Sequence, residues 1–217
     1  MAIYVVGITG GSGAPYARRL LQVLLEAGHQ VKLVVTESGE RVLAIELGLR
    51  LEGTLSERAE HWRSFLGRPA GDPALELFHP RDMAASISSG SFPTSGMVVI
   101  PCSMGTLARI AAGVSSTLVE RAADVTMKER RPLVLVPRET PLNDIHLENM
   151  LRLRRAGADI LPAAPGFYHQ PRTIDDLVDF IVARVLDRLG VEHQLLRRWT
   201  GDMPARPAGG PELVEEQ

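Results

Sequence analysis

The chain has 217 residues, 45% of them hydrophobic, and its 24 Lys and Arg stand against 26 Asp and Glu, a formal charge of −2. That length suits one domain with at most a tail, and the near-neutral balance lacks the positive field that nucleic-acid binders and polybasic membrane-surface proteins use to collect phosphates. No apolar run approaches the roughly 18–20 residues of a spanning helix, and Met1–Ile8 is too short and lacks the basic start of a signal peptide, so a soluble, cytoplasmic protein is expected, with neither nucleic acid nor membrane as partner.

In chain order, Ala2–Ile8 is an apolar, β-branched run that reads as a strand. The turn Thr9-Gly10-Gly11-Ser12-Gly13 then leads into a helix, Pro15–Ala27, with Leu20, Leu21, Leu24 and Leu25 on one side and Gly28 as its stop. Val31–Val35 is a second buried strand, followed by a helix through Val42, Ile45 and Leu49. Gly53–Arg81 reads as a polar, less regular segment with one short helix at Ala59–Phe65. Met97–Ile100 is the next core strand, and helices at Gly105–Ala112 and Leu118–Arg130 follow it. The pattern continues with a strand at Leu133–Val136, a helix at Asp144–Arg155, a short strand at Asp159–Leu161 and a last helix at Ile174–Leu189, which Thr173 and Asp176 start as a capping box. Beyond Trp199 the chain is too poor in apolar residues to offset the entropy of ordering, so 200–217 is expected to be a disordered tail behind one domain, 1–199. Strand-helix alternation with short connections predicts an α/β fold, a doubly wound parallel sheet with helices on both faces.

Ligands of such sheets bind beyond the carboxyl ends of the strands. Here those ends carry Thr9–Gly13, Thr36, Cys102–Thr106, Arg138 with Glu139, and Pro162–Tyr168. The glycine turn lets backbone approach an anion, and the helix after it offers unpaired N–H groups. It is neither a dinucleotide fingerprint, since Tyr16 stands where the third glycine belongs, nor a P-loop, since no Lys follows the last glycine. With hydroxyls at Thr9, Ser12 and Thr36 it suits one terminal phosphate, as in a mononucleotide, although a tight strand-helix turn needs glycines for steric reasons alone.

Two charges fall on apolar helix stripes: Arg184 with Leu177, Phe180, Ile181 and Val185, and Glu46 with Val42, Ile45 and Leu49. A buried unpaired cation is costly, so Arg184 should meet an anion; snorkelling or a structural ion pair serves equally well. Arg121 and Lys128 lie seven residues apart on one helix with Asp124 between them, which reads either as a solvated ladder or as a charged site. Lys128 is one of only two lysines, the other being Lys32. The lone Cys102 follows a buried strand with no activating base and reads as an inert core thiol. His146 and His169 lie near the crevice and read as packing or hydrogen-bonded histidines. The six histidines and single cysteine offer no zinc spacing, and no metal is expected.

Several long motifs occur together and in order: Gly7-Ile-Thr-Gly-Gly-Ser-Gly13, Ser88-Ser-Gly-Ser91, Pro101-Cys-Ser-Met-Gly-Thr-Leu107, Glu120-Arg-Ala-Ala-Asp-Val125, the run from Lys128 to Pro141, and the run from Pro162 to Pro171. With these the chain resembles the flavin prenyltransferases of the UbiX type from Ala2 to about Trp199. The resemblance implies a flavodoxin-like (Rossmann-like) three-layer subunit in a homododecamer. It implies binding of reduced FMN and dimethylallyl monophosphate and their joining into prenylated FMN, the cofactor of a UbiD-type decarboxylase. It also implies that Gly10, Gly11, Ser12, Thr36, Ser103, Met104, Gly105, Thr106 and Arg138 hold FMN. Lys128, Glu139, Tyr168 and Arg184 would hold the prenyl phosphate, with Arg121 and Ser91 nearby, and Glu46 and Ser12 would line the reacting carbon. Lys128 and Glu139 are the other candidate catalytic groups, Phe167 or Trp199 a candidate aromatic wall. Some of these groups would reach across a subunit boundary. The family often has Ala at Gly11 and Ser at Thr36, and it varies at Met104-Gly105.

Other classes remain in view. Oxidative cysteine decarboxylases on the same fold need a His near the first glycine turn, and residues 14–20 contain none. An aromatic-acid decarboxylase acting alone, a flavin carrier, and a dehydrogenase using Glu37 as ribose ligand are the further alternatives.

Overall fold

The computed structural model describes residues 1–196. The expected tail, 200–217, and Trp199 lie outside the described residues. Six parallel strands form one sheet in the order β3-β2-β1-β4-β5-β6: β1 Ile3–Ile8, β2 Gln30–Val35, β3 Leu75–Phe78, β4 Gly96–Cys102, β5 Leu133–Pro137 and β6 Asp159–Ile160. The β-branched and leucine-rich runs of β1, β2, β4 and β5 are buried on both faces, as helices on either side require. Among the described residues, seven α-helices flank the sheet: α1 Ala14–Glu26, α2 Glu37–Leu47, α3 Leu55–Phe65, α4 Met104–Ala111, α5 Leu118–Lys128, α6 Asp144–Arg155 and α7 Ile174–Leu189. One apolar layer joins α1, α3 and α7 to Val6, Ile8, Leu33 and Val98; the other joins α4 and α5 to Val5, Met97, Val99 and Leu135. This is the flavodoxin-like three-layer arrangement.

β3 is absent from the sequence reading, which left Gly53–Arg81 irregular. It is four residues long with Leu75 and Leu77 inward, and it pairs only with β2 at the sheet edge. Lys32 stands opposite Glu76 in this register and its Nζ lies 2.5 Å from Oε2, so this lysine is a cross-strand ion pair. α3 also begins four residues earlier than expected, because Thr54 and Glu57 form a capping box.

On α2 the apolar stripe is shifted. Leu43 is fully buried, whereas Ile45 is 83% exposed. The helix rolls so that Leu43 enters the core and Glu46 turns toward the end of α1. The α7 capping box is present as expected, with the Thr173 side chain accepting from the Asp176 N–H at 3.1 Å. Two backbone N–H groups, of Arg172 and Thr173, hold the Asp176 carboxyl below its usual range.

Candidate active site

The strand order reverses between β1 and β4, and the connections leaving them diverge to form the crevice where ligands of such sheets bind. Thr9 closes the floor: its hydroxyl donates to Pro101 O (2.8 Å) and accepts from Ser103 N–H (2.7 Å). Buried and fully used, Thr9 is a structural bolt between the two loops, which corrects its reading as a phosphate hydroxyl. Gly10 is required by close approach, since a Cβ there would lie 2.7 Å from Ser38 Cβ on α2. Gly13 is required by conformation, with φ 125° at the N-cap of α1.

Gly11 is different. A Cβ there meets only ordinary contacts at 3.5 Å, from Cys102 and Pro101, and its φ is not in the left-handed region. Gly11→Ala is therefore expected to raise stability by about 0.4–1 kcal/mol by restricting the unfolded chain. Urea unfolding checks this; a lower midpoint would show that the turn needs glycine.

The N-terminus of α1 already holds an anion. Glu46 accepts from Gly13 N–H (2.9 and 3.3 Å to its two oxygens) and from Ala14 N–H (2.7 Å). Its place on the helix stripe thus has a concrete cause: it caps a second helix, aided by that helix's dipole. The amides that the glycine-turn reading offered to a phosphate are engaged by this carboxylate. Thr36 is likewise engaged as N-cap of α2, accepting from Gly39 N–H at 3.1 Å and donating to Ile8 O at 3.3 Å. The open helix end is that of α4, which carries no acidic residue in its first turn.

Ser103 caps α4 and lines the crevice half-buried, with Met104 and Gly105 beside it. Thr106 is only 2% exposed and lies behind Ser103, whose hydroxyl it contacts at 3.1 Å. Its hydroxyl therefore lies behind Ser103 and is turned away from the crevice surface. Arg138, at the end of β5, leans over the glycine turn with Nε 3.4 Å from Ser12 O. Glu139 is exposed and accepts from Thr140 N–H. Cys102 is buried, and desolvation pushes its thiol up to about 12, so it stays protonated and inert as expected.

Tyr168 and Arg184 occupy the outer flank, beside β6. Tyr168 packs edge-on to Phe180, one helical turn above Arg184, and His169 stacks on the same ring at 5.1 Å. Arg184 does not point into the core: its side chain is 47% exposed and its Nη1 meets Asp187 at 2.8 Å. It borders a cavity of about 320 Å³ with Arg154, Arg188, Pro162 and Phe180. The stripe misled because Ala183 and Val182, not Arg184, complete the buried face of α7. His146 is part of the α6 capping box with Asn143.

The remaining candidates lie elsewhere. α5 delivers its C-terminus to the amino end of β5, so Lys128 sits at the sheet edge opposite the glycine turn. There it pairs with Glu129, beside the loop carrying Ser89 and Ser91, whose hydroxyls are 2.9 Å apart. Arg131 straps that loop through Gly90 O (2.7 Å) and Phe92 O (2.8 Å). Arg121 bonds Asp124 (3.0 Å) and Ser88 O (3.1 Å); among the described residues Asp124 pairs with Arg121 and does not bridge to Lys128. Within one chain, the candidates thus form a glycine-turn group at the carboxyl edge, a Tyr168 and Arg184 pair on the outer flank, and a Lys128 group at the amino edge.

Sequence reasoning missed Arg109 and Glu120. Glu120 is buried with no side-chain exposure, yet it binds Arg109 and the Thr117 N–H (2.7 Å). The signal available was a Thr117-x-x-Glu120 capping box with Arg109 at the end of the preceding helix. Among the described residues, no three His, Cys, Asp or Glu side chains converge as a metal site, and no helix is long and apolar enough to cross a membrane.

A family model described as Flavoprotein matches residues 2–186. Flavin prenyltransferase UbiX of Halalkalibacterium halodurans is 51% identical over 197 residues, covering 91% of this chain and 93% of the relative. Flavin prenyltransferase UbiX of Pseudomonas aeruginosa is 46% identical, covering 89% and 92%. Among solved structures, AnUbiX (PadA1) in complex with FMN and dimethylallyl pyrophosphate superposes with a TM-score of 0.82 at 39% identity, covering 93% of this chain and 99% of that one. A dodecameric FMN-dependent UbiX-like decarboxylase from Escherichia coli O157:H7 gives 0.80 at 46% identity, covering 92% and 100%. The cypemycin decarboxylase CypD, at 20% identity and a TM-score of 0.55, shares the fold alone.

Proposed function

The chain belongs to the UbiX flavin prenyltransferases, and from that premise we propose that it joins the dimethylallyl group of dimethylallyl monophosphate to reduced FMN at a site shared between copies of the chain. The observation that carries the reading is the convergence of the Gly10 turn, the Ser103 cap and Arg138 at the β1/β4 switch point, with the Glu46 carboxylate held at its back. A close-approach glycine, a hydroxyl, an open helix N-terminus and a cation fit a flavin mononucleotide. Gly10, Gly11, Ser12, Thr36, Ser103, Met104, Gly105 and Arg138 would hold it, with Thr106 acting through Ser103. Reduced FMN supplies the nucleophilic ring positions that accept the C5 unit.

The chain's own groups serve the other half of the reaction. As the carbon–oxygen bond of the prenyl phosphate breaks, negative charge gathers on the departing phosphate, and Lys128, Arg184, Arg121 and the Tyr168 phenol are the groups to stabilise it. With these cations in place, no metal is invoked. Glu139 or the leaving phosphate takes up the proton released in ring closure. Phe167 offers an apolar wall near the allyl carbon, and Ser91 and Ser12 line the space between.

Because Lys128 and Ser91 lie at the opposite sheet edge from the glycine turn, one chain cannot present all these groups to one substrate; a neighbouring copy brings them. α6 supports such an assembly, since Ile145, Leu147 and Leu151 are exposed on it while Leu153 alone is buried. A homo-oligomer, read as a dodecamer, and a UbiD-type decarboxylase that consumes the prenylated product complete the proposal.

The test is mass spectrometry of flavin released after anaerobic incubation with reduced FMN and dimethylallyl monophosphate, against oxidised FMN. A gain of about 68 mass units, one C5H8, with reduced FMN only is expected for a covalent prenyl transfer. Unmodified FMN from a protein that binds it tightly would favour a flavin carrier and withdraw the phosphate roles of Lys128, Tyr168 and Arg184.

A further inference from the structure

Between the end of α6, β6 and the outer face of α7 lies the cavity of about 320 Å³ that Arg184 borders. Three guanidinium groups line it, those of Arg154, Arg184 and Arg188, beside apolar side chains that include Leu161 and Phe180. Two helices supply them: Arg184 and Arg188 are four residues apart on α7 and share a face, while Arg154 comes from α6. Arg184 is paired with Asp187, whose other oxygen faces His193 at 3.2 Å. Among the described residues Arg154 and Arg188 make no ion pair, and Asp159, a carboxylate lining the same cavity, pairs with neither. Their positions in the last turns of α6 and α7 suit the helix dipoles. That accounts for cations there, but not for both opening onto one cavity beside Arg184.

We infer that Arg154 and Arg188 form a subsite for a second phosphate, so that this chain takes the diphosphate ester of its five-carbon donor as well as the monophosphate. A monophosphate held by Arg184, Tyr168 and Lys128 leaves these two cations without an anion. A diphosphate brings more negative charge and more acceptor oxygens, which planar guanidinium forks bind in pairs. Side chains one turn apart start roughly 5–6 Å from each other at their Cβ atoms, a spacing that two linked phosphates can bridge from Arg184 to Arg188. Asp159 opposes such an anion and limits how strongly the subsite holds it. The transfer itself is unaltered. The allylic carbon–oxygen bond breaks with its electron pair going to the departing oxygen, the reduced flavin ring supplies the pair for the new bond to carbon, a proton is released, and inorganic diphosphate leaves in place of phosphate. The inference rests on the reading that Arg184 holds the prenyl phosphate.

The test compares kcat/KM of the full chain for dimethylallyl monophosphate and dimethylallyl diphosphate, with reduced FMN and the flavin product read by mass. The parent should prenylate FMN from both donors. In the double variant Arg154→Gln, Arg188→Gln, kcat/KM for the diphosphate should fall about tenfold further than that for the monophosphate, the worth of two exposed cations, and the loss should lie in KM. Each single variant should show part of that shift. Asp159→Asn removes the opposing charge and should move the same ratio the other way. A weakened fold lowers both donors alike, so the ratio of the two, rather than either rate, reports the subsite. A parent that uses the monophosphate and refuses the diphosphate overturns the subsite and leaves the transferase reading intact, as does a ratio that the double variant does not change. No prenylated flavin from either donor would defeat the transferase reading itself, and the inference with it.

Discussion

Glu46→Ala is expected to lower the free energy of unfolding by about 1–2 kcal/mol, a large effect for one half-buried side chain. The carboxylate accepts from both the Gly13 and Ala14 N–H groups, and the substitution strips them of that acceptor at a helix N-terminus whose first turn holds no acidic residue. Turnover should fall by at least a hundredfold, because the same carboxylate fixes the first turn of α1 against Ser12 and the reacting space. Glu46→Gln keeps one acceptor oxygen and should retain most of the stability while losing the charge. Urea melts of the three proteins, repeated with inorganic phosphate, check the assignment. The alanine variant should gain more from phosphate than the parent does, since the freed amides form an anion site that the native carboxylate otherwise fills. Parental stability with no differential phosphate effect would show that Glu46 is not the cap, and normal turnover in Glu46→Gln would remove it from the reacting site.

The second large effect concerns Lys128. Lys128→Ala and Glu139→Gln are each expected to reduce turnover by two orders of magnitude or more while FMN stays bound, because each removes a group that acts on the departing phosphate or its proton. The two residues lie on opposite edges of the sheet, so a mixed oligomer of the two variants contains some sites with an intact Lys128 from one copy and an intact Glu139 from another. Co-expressed with separable tags and isolated as mixed assemblies, the pair should recover about a quarter of the parental rate when copies mix at random, by the statistics of a two-copy site. Mixed assemblies as inactive as the single variants would confine the site to one chain, and either variant turning over normally would end its assigned role. The exposed apolar residues of α6 bear on the same point: a closed, symmetric oligomer covers such surface.

Local features were legible from the residues alone. The alternation of β-branched runs with leucine-striped helices gave the parallel sheet, the Thr173–Asp176 spacing gave the start of α7, and the lack of a basic neighbour gave an inert Cys102. Each depends on residues within one or two turns of one another. The long motifs added the flavin family, which the matched model and relatives bear out.

The order and periodicity of the elements, most of their caps and the motifs that name a family are thus written in the residues. Which side chains meet depends on how the layers pack. β3 exists because β2 leaves an edge to pair with, and its four residues carry too little pattern to announce themselves. Ile45 faces outward and Glu46 inward because α2 rolls to bury Leu43 and to cap α1, a helix 33 residues away in the chain. Arg138 meets Ser12 across 126 residues, Thr9 bolts to Ser103 across 94, and Lys128 is carried to the far edge of the sheet. Periodicity is a property of neighbours along the chain, whereas these contacts are set by how layers pack, and a single sequence holds no local signal for a partner a hundred residues away.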